Sequence, residues 1–121
     1  MKFCWTTLQV KDLDVSLRFY QDIVGLPLNR RMKPSPEMEI AFLGSGETQV
    51  ELICSQGKKA VRFGQDISMG FVTESLDGLI ENFKKLGIPI HSGPFQPGPA
   101  IRFLYVLDPD GLKIQFVEEK R

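Results

Sequence analysis

Two stretches of this chain return at nearly the same spacing. Gly25-Leu26-Pro27-Leu28 comes back as Gly87-Ile88-Pro89-Ile90, 62 residues on, and the turn Gly44-Ser45-Gly46-Glu47 comes back as Asp108-Pro109-Asp110-Gly111, 64 residues on. A drift of two residues is one small loop change, so 121 residues hold two copies of one supersecondary unit. A four-stranded sheet with a helix over one apolar face leaves its other face open. Two such units are therefore expected to arrange their sheets around a shared concave core.

Each copy reads as βαβββ. In the first, Phe3 to Val10 alternates as a strand with Trp5, Thr7 and Gln9 on one face. Asp12 can cap a helix carrying Leu13, Leu17, Tyr20 and Val24 at helical spacing, and Gly25 ends it. Leu26 to Met32, Met38 to Leu43 and Thr48 to Cys54 follow as strands, with Lys33-Pro34-Ser35-Pro36 as a loop. In the second copy Ile67 to Thr73 is a strand, Leu76, Leu79, Ile80 and Phe83 form a helical stripe, and Gly87 stops that helix. Ile88 to His91 is a short strand, Ser92 to Ala100 a Gly/Pro-rich loop, and Ile101 to Leu107 hairpins into Leu112 to Val117. The predicted fold class is α+β. One domain covers residues 1–121, with unit one at about 1–55, a polar linker at 56–65, and unit two at about 66–119.

Composition narrows the function classes. Fifteen basic and fifteen acidic side chains give a formal net charge of zero, so no global field recruits nucleic acid or an anionic membrane, and neither is expected as a partner. No apolar run approaches the ~20 residues of a membrane span, and Met1-Lys2-Phe3 leads into a strand pattern; a cytoplasmic protein is expected. Cys4 and Cys54 lie far apart without ligand spacing and are expected as reduced, buried packing thiols.

The chain resembles the vicinal-oxygen-chelate superfamily of glyoxalase I, bleomycin-resistance proteins, fosfomycin-resistance enzymes and extradiol dioxygenases. The resemblance spans nearly the whole chain. It rests on Leu8-Gln9-Val10-Lys11-Asp12-Leu13, on Ser16-Leu17-Arg18-Phe19-Tyr20 running to Gly25-Leu26, on Val50-Glu51-Leu52, and on Asp108-Pro109-Asp110-Gly111 with Ile114-Gln115-Phe116-Val117-Glu118-Glu119. In glyoxalase-like members the first and last strands of each unit donate one metal ligand apiece, usually a histidine from the first and a glutamate from the last. Carried onto this chain, those places fall on Trp5, Glu51, Met69 and Gln115, with a separation of 46 residues in both units. Only Glu51 is an ordinary ligand for such metals. No cofactor is expected, though a divalent metal held through Glu51 and Gln115 stays open. Small members of the family usually form homodimers in which unit one of one chain faces unit two of the other, and the resemblance implies the same here.

Hairpin register supplies the neighbours. A four-residue turn at Asp108 to Gly111 pairs Leu107 with Leu112, which sets Leu104 across from Gln115 and Arg102 across from Val117 on one face. The same rule sets Ile40 across from Glu51 and Phe42 across from Gln49. The expected pocket is lined by Trp5, Ile40, Phe42, Met69, Phe71 and Leu104, with Glu51, Gln115, Arg102 and Thr7 as its polar groups. Trp5 is a stacking platform or a core aromatic. Met69 reads as core filler before ligand. Glu51 in an apolar run needs a partner such as Arg102, a solvated cavity or a raised pKa, and a carboxylate of that last kind could serve as a general base. His91 reads as a surface residue. Arg30, Arg31 and Lys33 form a basic cluster that is a solvated edge or an anchor for an acidic ligand group, and the Gly93 to Pro99 loop is a rigid connection or a lid with Phe95 at its tip.

Three functions fit these residues. The first is a metal-free protein that binds a small apolar or aromatic molecule, similar to bleomycin-resistance members. The second is a glyoxalase-type lyase, isomerase or epimerase using Glu51 as base, with Gln115 and Arg102 orienting a carbonyl or carboxylate. The third is a filled core in a protein that works through its surface.

Overall fold

The computed structural model describes residues 1–57 and 60–120, and the chain divides into two compact units, Met1–Arg62 and Phe63–Arg121. Lys58 and Lys59, inside the expected linker, lie outside the described residues.

Unit one runs β1 (Trp5–Gln9), α1 (Leu13–Arg18), a π-helical turn (Phe19–Ile23), β2 (Leu28–Ser35), β3 (Met38–Leu43) and β4 (Gln49–Ser55), in the sheet order β1-β4-β3-β2. The pair β1 and β4 is parallel and the others are antiparallel. The Asp12 carboxylate accepts the Val15 N–H and caps α1 as the sequence implies. One sheet face packs on the helix through Leu8, Val10, Ala41, Leu43 and Leu52, all buried. The other face carries Trp5, Thr7, Phe42 and Glu51, because side chains alternate along each strand.

Unit two repeats the plan: β5 (Ser68–Val72), α2 (Leu76–Leu86), β6 (Ser92–Gly98), β7 (Ile101–Leu107) and β8 (Lys113–Glu119), in the order β5-β8-β7-β6 with β5 and β8 parallel. The Ser75 hydroxyl accepts the Gly78 N–H at the start of α2. Gly87 closes the helix in the left-handed region at φ 71°, a conformation glycine adopts without a Cβ penalty. The two βαβββ units and their mixed sheets are those the sequence implies.

The departures are at edges: of the two cysteines expected as buried thiols, Cys4 is exposed, just ahead of the edge strand β1, and Cys54, near the end of β4, is half-buried. The expected loop at Ser92 to Ala100 is strand β6, while Ile88 to His91 is not a strand. β6 pairs only with β7, so its prolines need no ladder donor on the open side, and register shifts on both sides of Phe95 absorb the irregular backbone. β2 likewise runs through Lys33, Pro34 and Ser35, which the sequence suggests as a loop.

Candidate functional site

Glu51 is buried, at 9% exposure, in the middle of β4. Its register partners are Thr7 on β1 and Phe42 on β3. The Thr7 hydroxyl donates to Glu51 Oε1 at 2.5 Å, so the carboxylate's partner is a neutral hydroxyl of its own unit. Phe42 takes the position that the hairpin rule gave to Ile40. The true register is displaced by two residues, which exchanges the partner and preserves the face; Ile40 instead pairs with Ile53. The Trp5 ring meets Phe42 edge to face, with centroids 5.2 Å apart, and stays 41% exposed. Unit one therefore brings together Trp5, Thr7, Phe42 and Glu51.

Unit two differs from expectation because its hairpin is longer by one residue. Asp108 Oδ1 accepts the N–H groups of both Asp110 and Leu112, the Asp108 N–H bonds to the Leu112 carbonyl, and the Leu112 side chain is buried. Leu112 is thereby part of the turn, and Leu107 pairs with Lys113. A slip of one residue reverses faces. Gln115 stands across from Tyr105, whose hydroxyl accepts from its amide at 3.2 Å, and Leu104 is fully buried beside Phe116 on the helix side. Arg102 is also on the helix side. It pairs with Glu118 in register and reaches Asp77 in the first turn of α2 at 3.1 Å, a bond that raises its already high pKa.

Met69 and Phe71 follow the same logic. β5 aligns Met69 with Ile114, Gly70 with Gln115 and Phe71 with Phe116, so Met69 and Phe71 belong to the helix face, where the Phe71 and Phe116 rings lie 6.4 Å apart. The strand residues that share the Gln115 face are Ser68 and Gly70. A Cβ on Gly70 would come within 3.2 Å of Gln115 Oε1, so the glycine leaves room for that amide. In unit one Trp5 stands two residues before Thr7, the partner of Glu51; in unit two Ser68 stands two before Gly70, the partner of Gln115. By register the counterpart of Trp5 is Ser68, not Met69. The equal separation of 46 residues was a coincidence of a one-residue offset in β5.

The remaining polar candidates also sort by face. Arg31 donates to Glu39 at 2.5 Å and to Asp14 at 2.9 Å, and the bond to Glu39 holds that carboxyl below its ordinary value. Arg30 instead lies over the Phe42 ring, 4.4 Å from its centroid. Phe95 is no loop tip: it pairs with Phe103, with rings 5.5 Å apart. His91 is exposed, next to the start of β6. Sequence reasoning missed Tyr105, Ser68, Gly70 and the placing of Arg30. A lone glycine inside the β5 pattern was the one available signal for the first three. Among the described residues no cluster of three His, Cys, Asp or Glu side chains could hold a metal ion, and no helix is long and apolar enough to cross a membrane.

Known proteins share this fold. The family model described as Glyoxalase/Bleomycin resistance protein/Dioxygenase superfamily matches residues 2–116. Lactoylglutathione lyase of Haemophilus influenzae is 30% identical over 128 residues, covering 99% of this chain and 94% of that protein. The lactoylglutathione lyase of Escherichia coli O157:H7 is 31% identical over 130 residues, with the same coverage. Among solved structures, glyoxalase I of Leishmania major superposes with a TM-score of 0.83 at 26% identity, covering 98% of this chain and 87% of that one. A glyoxalase family protein from Bacillus cereus shares the fold with a TM-score of 0.85 at 19% identity, over 100% and 95% of the two chains. With two βαβββ units in sequence and a family match over nearly its full length, the chain belongs to the glyoxalase/bleomycin resistance protein/dioxygenase superfamily.

Proposed function

We propose that this chain binds a small, planar, apolar or aromatic molecule against Trp5 and Phe42, and that it does so without a catalytic metal. The observation that carries the reading is the donor chemistry at the four places equivalent to the family's ligands: Trp5, Glu51, Ser68 and Gln115. An indole N–H has no lone pair to offer, and a serine hydroxyl and an amide are neutral, weak donors. One carboxylate does not fit a nickel, zinc, iron or manganese site. In exchange, a half-exposed indole stands edge-on to a buried phenyl ring, which suits stacking of a flat ligand. The working form is a homodimer in a reducing, cytoplasmic setting, where Cys4 and Cys54 stay thiols.

A second reading is favoured by Glu51, a buried carboxylate beside a hydroxyl, and by relatives named lactoylglutathione lyase. On that reading Glu51 takes and returns a proton next to a substrate carbonyl, as a lyase, isomerase or epimerase does.

Protein purified without a histidine tag should carry substoichiometric divalent metal by mass spectrometry, and its single tryptophan should respond saturably to planar aromatic probes. Stoichiometric metal defeats the first reading. Turnover of lactoylglutathione that is abolished by Glu51→Gln establishes the second. A monomer by light scattering at micromolar concentration removes the dimer.

A further inference from the structure

We infer that the molecule bound on the outer sheet face of unit one carries an anionic group, with a carboxylate as its chemical class, and that Arg30 is the residue that selects it. The inference rests on the proposed small-molecule site and names its specificity.

Arg30 and Arg31 are consecutive, and their roles are opposite. Arg31 is spent on Glu39 and Asp14. Arg30 has no carboxylate within 4 Å among the described residues and lies over the Phe42 ring, 4.4 Å from the guanidinium carbon to the centroid. A guanidinium held over a ring by cation–π attraction keeps its N–H donors free for a ligand, and its planar fork can grip a carboxylate through two parallel bonds. The ring beneath it is the same one that Trp5 meets at 5.2 Å. Arginine and indole therefore stand one phenyl ring apart on a single sheet face, an array that takes the charged end and the flat body of one molecule.

The placement is built into the strand. The register between β2 and β3 shifts between Leu28 and Arg30, so that Asn29 as well as Arg30 reaches the outer side, Asn29 Nδ2 donating to the outward-facing Gln49 at 3.0 Å. Arg30 is in register with Phe42. Glu51, in register with Phe42 on this face, has Thr7 as its hydrogen-bond partner, which leaves the guanidinium charge for a ligand.

The test compares 2-naphthoate and quinoline-2-carboxylate with the primary amide of each, by titration calorimetry on the whole wild-type chain and on Arg30→Gln and Arg30→Lys. The wild type should prefer each carboxylate over its amide by about tenfold or more, as a charge-assisted pair at a partly desolvated site provides. Arg30→Gln should bring that preference within about twofold, the carboxylates losing more affinity than the amides, and Arg30→Lys should retain only part of it. Equal binding of acid and amide by the wild type overturns the anion preference and leaves the aromatic site standing, and this arm needs no variant to fold. A preference that survives Arg30→Gln overturns the role of Arg30. Binding of neither kind of probe overturns the site itself, and the inference with it.

Discussion

Trp5 shows most plainly what a single residue does in this fold. Its ring meets Phe42 in a T-shaped contact, yet the residue is 41% exposed, so it is neither sealed in a core nor free of one. A fully buried aromatic costs ~3–5 kcal/mol when truncated to alanine. Trp5→Ala should cost only about 1–2 kcal/mol in a denaturant melt followed by circular dichroism, since less of its apolar surface leaves water on folding. The same change should weaken binding of a planar ligand, measured by calorimetry, by roughly 1–3 kcal/mol, the worth of stacking on an aromatic ring. A large loss of stability with unchanged binding would make Trp5 a packing residue. The faces of Trp5, Thr7 and Glu51 were legible in the sequence because a two-residue period over a regular strand leaves no freedom. Arg30 and Arg31 were not separable in the sequence, because a register shift next to Arg30 and an acid on a neighbouring helix decide which of the two is consumed.

At the scale of elements, strands were legible wherever an apolar alternation lay between turn residues, and illegible where position in the sheet overrides propensity. β6 is rich in Gly and Pro and reads as a loop. It is a strand because an edge position excuses the missing N–H donors. Register was the more consequential miss. The turn at Asp108 was evident, but its length was set by the Asp108 carboxylate accepting two backbone N–H groups and by the buried Leu112, and neither leaves a pattern in the residues themselves. That one residue moved Leu104 from the expected pocket to the core and brought Tyr105 to Gln115. The assignment is checked by a pair of variants. Leu104→Ala should cost ~2–5 kcal/mol in a melt, as deletion of a fully buried leucine does. Tyr105→Phe, which removes only the hydroxyl bonded to Gln115, should cost no more than about 1 kcal/mol. If Leu104→Ala is instead mild and acts chiefly on ligand binding, the register described for β7 and β8 is wrong.

For the whole molecule the proposed metal-free reading turns on four places, two from each unit. On that reading Glu51 alone has the residue type that the family resemblance implies for a ligand, and Trp5, Ser68 and Gln115 stand, by register, at the places for which it implies a histidine, a histidine and a glutamate. The strand geometry that presents those places is retained: the first strand of each unit runs parallel to the last, with Thr7 set against Glu51 and Gly70 against Gln115. The proposed reading predicts that metal-binding side chains at these places give the protein a metal affinity it otherwise lacks. The triple variant Trp5→His, Ser68→His, Gln115→Glu should take up zinc or nickel stoichiometrically, and free metal at ~100 times its dissociation constant should stabilise the folded protein by about 2.7 kcal/mol, visible as a clear rise in Tm. Wild-type protein in the same metal should show no rise. The control is the variant with Met69→His in place of Ser68→His. Its second introduced histidine would start from the helix side of β5, aligned with Ile114, and it should bind no more tightly than Trp5→His, Gln115→Glu alone. Metal uptake by the Met69 variant and not by the Ser68 variant would return the ligand place to Met69 and undo the register of β5. Uptake by neither would overturn the proposed equivalence of these four places with the family's ligand places.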